Sequence, residues 1–433
     1  MPKKVYVAMC ADLIHPGHLN VIKHAQALGE VTVGLLSDKA VAAFHRLPFL
    51  TFDQRRIIVE SIKGVETVVG QETLDYTENL LRLKPDYVVH GDDWKEGPQR
   101  ETRDKVIEVL KGWQGELVEI PYTRSISSLT LNEQLKAIGT TPSSRMERFR
   151  RLLTAKCPVK LMEAHNGLTA HIIENLSVDT DHAHLEYDGI WLSSLTDSAA
   201  KGKPDIEYVD KTSRLATIND ILESTTKPII FDGDSGGLTE HFVFTVKSLE
   251  RLGVSAVVIE DKVGLKRNSL FDDGPIEAVQ DDIPSFCYKI SQGKKKQITK
   301  EFMIIARVES LILNKGMEDA FTRAEAYLEA GADGIMIHSK SKDGAEILEF
   351  CRRFRAAGHM APLVVVPSTY NAVPDTELVK AGATIIIYAN HMLRSAYPSM
   401  ISTAREILTR GCSQSVEKEL MPVSELVNLF PGG

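Results

Sequence analysis

A Pro-Gly pair flanked by two histidines stands in the segment "VYVAMCADLIHPGHLNVIKHAQALG", directly after a strand-like apolar run. Gly17 lets a ligand approach the backbone closely, and the N-terminus of the helix that follows favours an anion. His15 and His18 lie one helical turn apart, so both imidazoles can donate hydrogen bonds to one phosphate. Such donors suit attack on an α-phosphate, where negative charge builds in the transition state.

Two other interpretations of this segment stay open, a zinc pair and two ordinary surface histidines. Zinc usually needs a third protein ligand, and no nearby Cys or His has a suitable spacing. The pattern alone therefore favours nucleotide chemistry without establishing it.

Acidic side chains follow apolar runs in the C-terminal part of the chain. Asp232 and Asp234 belong to "FDGDSGG", Glu260 ends "VIE", and Asp205 lies in the loop after "GIWLSSL". Two buried carboxylates about 6 Å apart repel by about 3 kcal/mol at an effective dielectric near 20. A group of buried carboxylates therefore needs a divalent cation to offset their mutual repulsion. A site whose ligands are all oxygen atoms suits Mg²⁺. The Asp-Gly-Asp unit could equally be a capped turn.

Cationic side chains accompany these acids. Arg307 in "ARVES" and His338 in "IHSK" follow later apolar runs, and the loop after Glu260 carries Lys262, Lys266 and Asn268. Each cation alone is more often a surface residue. Together at neighbouring strand ends, they predict a receptor for a small dianion that carries a carboxylate and a phosphorus group.

Alternating strands and helices must position both groups. The first 140 residues alternate short apolar strands with amphipathic helices, which predicts a parallel, Rossmann-like α/β domain. After residue 157 come eight apolar runs separated by helical stretches, the count of a (β/α)8 barrel, whose chemistry lies at the C-terminal ends of the strands. We predict domains at 1–140 and 158–433. The basic stretch 141–157 indicates a linker followed by a helix that is either solvated on one face or docked on a domain. A helix that lies on a membrane surface is the alternative.

Composition excludes several classes of protein. The net charge of −8 over 433 residues argues against nucleic-acid binding, because phosphate neutralisation needs a positive surface. No apolar window approaches the ~20 residues of a membrane span. The cysteines show no CxxC spacing, so we expect free thiols and a cytoplasmic location. They are Cys10, Cys157, Cys287, Cys351 and Cys412.

The order HxGH, "GDDW" and "YTRSISS" over residues 1–140 resembles the cytidylyltransferases that make CDP-linked alcohols. The resemblance implies that His15 and His18 stabilise the transferring phosphoryl group of CTP and that Asp12 lies near the metal and the acceptor. It also implies a catalytic role for Arg55, which matches the family's arginine. The nucleotide-binding residues that it implies are Asp12, Gly17, Asp92, Arg124, Ser127 and Ser128.

The first domain departs from this family in two places. Tyr122 replaces an arginine and Ser125 a glycine in the last motif, and Phe44 or His45 stands where a loop lysine is common, with Arg46 the nearest cation. These changes would fit a phosphonate acceptor.

The motifs "EDKxGxKxNS", "GIWxSS", "DGD" and "ARxE" resemble phosphoenolpyruvate mutase of the isocitrate lyase superfamily. The loop lacks the cysteine of the lyases, and Asn268 distinguishes it from the related hydrolase. The resemblance implies that Asp232, Asp234 and Glu260 hold Mg²⁺ with Asp205. It further implies that Arg307, His338 and Asn268 hold the migrating phosphoryl group under a closing loop that contains Lys266. The implied substrate-binding residues are Trp191, Ser193, Ser194, Leu195, Lys262 and Ser269, with Ser194 at a position that is usually glycine.

The two resemblances together imply a bifunctional enzyme of phosphonate biosynthesis of the fosfomycin type. The barrel would convert phosphoenolpyruvate to 3-phosphonopyruvate, and the first domain would transfer CMP to a phosphonate, for which we prefer 2-hydroxyethylphosphonate. Alternative acceptors are 2-aminoethylphosphonate and a phosphorylated alcohol. The first domain could also be a non-catalytic nucleotide-binding module, and the barrel could be a hydrolase. By resemblance, barrels of this kind pair as homo-oligomers through their last helix.

Overall fold

The computed structural model describes residues 2–44, 46–95, 99–121, 139–180, 184–264, 266 and 278–430. The first domain is built on a five-stranded parallel sheet in the order β3-β2-β1-β4-β5. Its strands are β1 Lys4–Met9, β2 Glu30–Leu36, β3 Val65–Gln71, β4 Tyr87–Gly91 and β5 Glu116–Ile120. This confirms the Rossmann-like prediction.

Helices connect these strands. They are α1 Pro16–Leu28, α2 Asp38–Ala42, α3 Phe52–Glu60, α4 Thr77–Leu83 and α5 Arg100–Leu110. The segment "SISSLTLNEQLKAIG", whose hydroxyl residues at the start and glycine at the end predict a helix, lies almost wholly outside the described residues. Buried valines of β1 and β2 form the centre of the domain core with Ile22 of α1 and Val59 of α3.

Eight parallel strands close the second domain into a barrel. They are β6 Val159–Glu163, β9 Gly189–Leu192, β10 Ile229–Asp232, β11 Ala256–Glu260, β14 Met303–Val308, β15 Gly334–Ile337, β16 Leu363–Val365 and β17 Ile385–Tyr388. All eight coincide with the predicted apolar runs. Alternate side chains point to opposite faces of a strand, so Ile230 packs inside the barrel while Ile229 and Phe231 pack against the surrounding helices.

The barrel helices complete this domain. They are α7 Gly167–Asn175, α8 Ser194–Ala200, α9 Lys211–Leu222, α10 Thr239–Leu252, α11 Ile283–Lys296, α12 Met317–Glu329, α13 Ala345–Ala356, α14 Asp375–Ala381, α15 His391–Arg410 and α16 Val423–Asn428. Two short antiparallel ladders are inserted, β7 Ser177–Asp179 with β8 His184–Glu186 and β12 Lys262–Val263 with β13 Val279–Gln280. None of the described helices combines the length and the apolar character that a membrane crossing requires.

The basic stretch between the domains forms helix α6, Pro142–Ala155, which begins after the N-cap Thr141. This helix covers the amino-terminal end of the barrel. Phe149 is fully buried in the barrel interior cluster, and Arg145 donates to the carbonyl oxygen of Thr225, just before β10. The helix therefore docks its apolar face on the barrel, which leaves that face covered and speaks against the membrane-surface interpretation, while Ser143, Ser144 and Glu147 form a solvated face.

Candidate functional sites

The HPGH segment forms the N-terminus of α1, with His15 as the N-cap residue. His15 Nδ1 accepts a hydrogen bond from the N–H of Gly17 (3.1 Å), and His18 Nδ1 accepts one from the N–H of His15 (3.4 Å). An Nδ1 atom that accepts a backbone hydrogen bond carries no proton in the neutral ring, so the proton is on Nε2. The two ring centroids lie 4.1 Å apart. The helix cap thus fixes both imidazoles as Nε2–H donors.

Both imidazoles are neutral near pH 7. Burial lowers the pKa of His15, and burial together with the charge of His15 lowers the pKa of His18 to about 4. A neutral imidazole at a helix N-terminus can donate its Nε2–H group to a phosphate oxygen while the ring stays neutral. The geometry therefore fits the predicted role of His15 and His18.

Asp12 and Arg55 lie behind this segment. Asp12 lines the same cleft, accepts the N–H of Leu50 at 3.1 Å, and has a pKa raised by burial. Arg55 is fully buried, donates to the carbonyl oxygen of Cys10 and pairs with Asp38 at 2.7 Å. Arg55 is not among the residues that line the cleft, and the catalytic role expected for it stays a prediction.

The "GDDW" motif lies at the edge of the cleft, and the nucleotide-binding role expected for Asp92 stays a prediction. Gly91 and Asp93 line the cleft together with His90, whereas Asp92 is not among the lining residues. Trp94 is buried, stacks on the His90 ring at 3.8 Å and donates to Glu119 at 2.9 Å. Trp94 therefore fixes the loop, while its neighbours Gly91 and Asp93 face the cleft. Arg124, Ser127 and Ser128 lie outside the described residues, as do Tyr122, Ser125 and His45.

The cleft of the first domain is bounded on its other side by the barrel. Its volume is about 1530 Å³, and its walls include His18 and Asp12 on one side and His171, Asn175 and Arg251 on the other. The barrel residues belong to α7 and α10, at the amino-terminal end of the barrel. The two predicted sites therefore lie at opposite ends of the barrel domain.

At the carboxyl end of the barrel strands, nine residues predicted from the sequence line a single cavity of about 80 Å³. They are Trp191, Ser193, Ser194, Leu195, Asp205, Asp232, Lys266, Arg307 and His338. Parallel strands bring side chains far apart in sequence to one edge. The chemistry of these residues is thus assembled in one place. Asn268 and Ser269 lie outside the described residues.

The Asp-Gly-Asp unit is a tight turn at the end of β10. A Cβ on Gly233 would come within 2.8 Å of the carbonyl oxygen of Val258, so only glycine fits there. Asp234 has φ of 54°, a left-handed conformation that is strained for a residue with a side chain. The turn keeps both carboxylates buried at the cavity, so the capped-turn interpretation and the functional one describe the same feature.

Lys266 contacts two of the acids directly and a third through Ser194. Its ammonium donates to Asp205 at 2.9 Å and also contacts Asp234 and the hydroxyl of Ser194. Ser194 in turn donates to Asp232 through its hydroxyl at 2.8 Å and its N–H at 3.2 Å. Burial opposes ionisation of Asp232, but the nearby cations, Lys266 first, outweigh it and lower its pKa.

A second ionic cluster lies beside the first. Arg307 pairs with Glu260 at 2.7 Å and with Glu309 at 2.5 Å, and Lys262 lies 3.3 Å from each of these carboxylates. Burial raises the pKa of Glu260 to about 7 despite the charge of Arg307. His338 lies 3.3 Å from Glu309, and burial with the charge of Arg307 lowers its pKa, so its ring is neutral near pH 7.

Comparison with known proteins matches both halves. A family model described as phosphoenolpyruvate phosphomutase matches residues 149–408, and one described as cytidylyltransferase-like matches residues 8–141. The chain belongs to the phosphoenolpyruvate phosphomutase family. The phosphoenolpyruvate phosphomutase of Tetrahymena pyriformis is 36% identical over 283 residues, which are 65% of this chain and 90% of that protein.

Two solved structures resemble the phosphomutase barrel. A phosphoenolpyruvate phosphomutase from Streptomyces platensis subsp. rosaceus has a TM-score of 0.61 at 34% identity, covering 66% of this chain and 94% of its own. A phosphonopyruvate hydrolase in complex with oxalate and Mg²⁺ has a TM-score of 0.58 at 29% identity, covering 67% and 95%. The superfamily fold that we predicted is thus confirmed.

The acidic residues of the phosphomutase barrel are the candidate ligands of a magnesium ion. In the described part of the chain, no three His, Cys, Asp or Glu side chains are grouped ready to ligate one ion. Instead, carboxylate oxygens of Asp205 and Asp234 converge on the ammonium of Lys266. Both carboxylate oxygens of Glu260 are buried, and they lie 2.7 Å from Arg307 and 3.3 Å from Lys262. Oxygen donors that converge on a cation fit Mg²⁺, which prefers carboxylates and water.

Sequence reasoning gave no role to two ionic side chains of the phosphomutase barrel. Arg214 donates to Asp234 at 2.9 Å and to the carbonyl oxygen of Asp232 at 2.6 Å, so it holds the Asp-Gly-Asp turn. It lies in the first turn of α9, where nothing in the local pattern marks it. Glu309 is fully buried between Arg307 and Lys262. Glu309 is the glutamate of the ARxE motif, so that motif could have predicted a role for it at the site.

Proposed function

We propose that the barrel isomerises phosphoenolpyruvate to 3-phosphonopyruvate. The observation that carries this proposal is one cavity that brings Asp205, Asp232, Lys266, Arg307 and His338 together. The reaction breaks the bond between phosphorus and the enol oxygen and forms a bond between phosphorus and C3 of the same molecule, so it needs no oxidant or reductant. The family membership of the barrel supports it.

The residues divide between the two ends of the substrate. Mg²⁺, held by Asp232, Asp234 and Glu260 with Asp205, would neutralise the carboxylate and oxo oxygens of the pyruvate part. Arg307 and neutral His338 would bind the phosphoryl group on the other side of the cavity, as Asn268 would. Trp191 forms a wall of the cavity, and the polar segment Ser193–Leu195 lies where it can bind the carboxylate.

The alternative for the barrel is hydrolysis of phosphonopyruvate, which the likeness to a hydrolase structure supports. Phosphorus NMR of the full-length protein with phosphonopyruvate and Mg²⁺ separates the two functions. A mutase forms phosphoenolpyruvate, whereas a hydrolase forms inorganic phosphate. Phosphate as the main product, at a rate that Asp232→Asn abolishes, would overturn the mutase proposal.

For the first domain, we propose transfer of CMP from CTP to a phosphonate, preferably 2-hydroxyethylphosphonate, with release of pyrophosphate. Support comes from the cytidylyltransferase-like match and from the two neutral imidazoles that the cap of α1 aims as donors. Removing one such donor typically costs about 10²–10³ in rate. Such an activity would act downstream of the phosphonopyruvate product, as in fosfomycin-type antibiotic biosynthesis, after other enzymes have modified that product.

A pyrophosphate-release assay tests this part. The full-length protein is incubated with CTP, ATP, GTP or UTP against 2-hydroxyethylphosphonate, 2-aminoethylphosphonate, methylphosphonate and phosphorylated alcohols, with His18→Ala as the blank. We expect release with CTP and 2-hydroxyethylphosphonate. CTP binding without release for any acceptor would instead establish a nucleotide-binding module.

We also propose that the protein is a homo-oligomer through the barrel, in a reducing, cytoplasmic setting. Helix α15 has 20 residues and buries none of them, and Tyr397 and Leu408 on it are 63% and 86% exposed. Leu168 on α7 and Leu176 directly after it are also about half exposed. An amphipathic helix without a buried face supports pairing with a second copy. Light scattering coupled to size exclusion measures the mass, and a monomer at micromolar concentration would contradict pairing.

A further inference from the structure

The loop at residues 46–50 holds a predicted acid of the nucleotidyl-transfer site. The N–H of Leu50 donates to Asp12 Oδ1 at 3.1 Å, and Asp12 lines the cleft beside the HPGH segment. The position of this loop therefore sets the position of the Asp12 carboxylate.

Arg151 of α6 holds one end of that loop. Its guanidinium donates to the carbonyl oxygen of Phe49 at 2.9 Å and to that of Leu50 at 3.1 Å. It also pairs with Asp38 Oδ2 at 2.9 Å, while Asp38 Oδ1 pairs with buried Arg55. One side chain thus supports the loop behind Asp12 and the arginine beneath the HPGH segment.

Arg46 holds the other end, and it does so by reaching into the barrel domain. Its guanidinium pairs with Glu174 at 3.0 Å and with Glu186 at 3.3 Å. Both partners are buried or nearly so, and Glu186 is also paired with Lys227 at 3.0 Å. The cation nearest to the family's loop lysine is therefore engaged with the barrel.

Helix α6 is fixed to the barrel chiefly by its buried apolar residues Met146, Phe149 and Leu152, and Arg150, which is one-third exposed, only adds contacts at the edge of this interface. Arg150 donates to the carbonyl oxygen of Glu301 at 3.0 Å and pairs with Asp333 at 2.8 Å, both at the amino-terminal end of barrel strands. Arg150 and Arg151 are consecutive, so one faces the barrel and the other faces the first domain.

We infer that the phosphomutase barrel is a structural part of the nucleotidyl-transfer site, with Arg151 and Arg46 as positioning residues that act through loop 46–50 on Asp12. This inference rests on the proposed function of the first domain. It makes the two domains one unit for the transfer reaction, whereas the mutase site at the opposite end of the barrel works without the first domain's loop.

The test compares Arg151→Met with its matched neighbour Arg150→Met in the full-length protein. Because small displacements of reacting groups are costly, Arg151→Met should lower kcat for pyrophosphate release on the order of 10- to 100-fold. The KM for CTP should stay nearly constant, since Arg151 does not line the cleft. Arg151→Lys, which can still reach one carbonyl oxygen, should recover much of the loss. Arg150→Met should keep the transfer rate, and all variants should keep mutase activity.

Hydrogen exchange read by mass spectrometry provides a second measurement that needs no turnover. Arg151→Met should accelerate exchange in the peptide that contains Leu50, and Arg150→Met should not. If the wild type releases no pyrophosphate with any acceptor, the proposed function fails, and exchange alone still decides the inference. Unchanged exchange with an unchanged kcat overturns it, and so does a parallel loss of both activities, which would mark general unfolding.

Discussion

The two phosphorus-binding regions solve the same electrostatic problem in opposite ways. At the tip of α1, His15 and His18 are neutral donors fixed by backbone hydrogen bonds. At the mouth of the barrel, Lys266 and Arg307 are buried charges, each compensated by at least two carboxylates. The HPGH segment thus offers a phosphate neutral hydrogen-bond donors, whereas the barrel mouth offers it cations whose charges are balanced by carboxylates.

This difference has a physical consequence. Removing a neutral donor leaves no uncompensated charge, so the loss should be confined to the reaction. Removing one member of a buried ionic network leaves its partner charged and unpaired, which is costly. We therefore expect changes in the barrel to affect activity and stability together, and changes at the HPGH segment to affect activity alone.

The largest effect should come from Asp232→Asn, which removes a buried charge that Ser194 and the neighbouring cations hold. We expect mutase kcat/KM to fall by about 10³-fold, the upper end for the loss of one electrostatic group. Phosphorus NMR measures this rate, and a thermal melt should show a shifted barrel transition. Asp220→Asn, at an exposed position of α9, is the matched control and should change neither.

Next in size should be His18→Ala, for which we expect a loss of about 10²-fold in nucleotidyl transfer and a near-normal melt. The exposed His24 on the same helix, whose Nδ1 contacts the carbonyl oxygen of Asn20, supplies His24→Ala as control. A large drop in melting temperature for His18→Ala, but not for His24→Ala, would contradict the expectation that changes at the HPGH segment affect activity alone.

A smaller effect is expected from Ser194→Ala, which removes one hydroxyl from Asp232 but keeps the N–H donor. A hydrogen bond to a charged group contributes about 1.5 kcal/mol, so mutase kcat/KM should fall by about tenfold. Ser198→Ala, one turn along α8, is the comparison. An increase in rate would indicate that the hydroxyl hinders a substrate that glycine at this position would admit.

The smallest effect concerns pH. Because the pKa of His18 is about 4 in the folded protein and near 6.5 when unfolded, the unfolded state binds more protons between these values. Stability of the first domain should therefore fall as the pH drops from 6.5 towards 4, while His18 stays neutral and transfer continues at pH 6. Denaturant titrations of wild type and His18→Ala measure this, and equal slopes against pH would contradict it.

Strands buried on both faces were predictable, whereas one of the two edge strands of the first sheet was not. The eight barrel strands are continuous apolar runs, so each was found. Strand β3 at the sheet edge, "VETVVGQ", buries only Val68 and Gln71, and its mixed pattern hid it. Burial on one side alone leaves too few apolar residues to mark a strand.

Arg55 and the basic helix show the other limit. Both lie in patterns that allow a surface or a site role, and the choice depends on what packs against them. Asp38 and the carbonyl oxygen of Cys10 hold the buried guanidinium of Arg55, and the barrel floor holds α6. These partners are distant in sequence, so no local pattern could reveal them.

The sequence alone determined the two kinds of fold, the eight barrel strands and the candidate side chains for the chemistry, because hydrophobic periodicity and short-range motifs record them locally. Only the tertiary structure decided which end of the barrel each site occupies, which cation pairs with which carboxylate, and that Arg46 and Arg151 tie the first domain to the barrel. Those features depend on residues that folding brings together from separate parts of the chain, where burial, and not spacing, sets the strength of each contact.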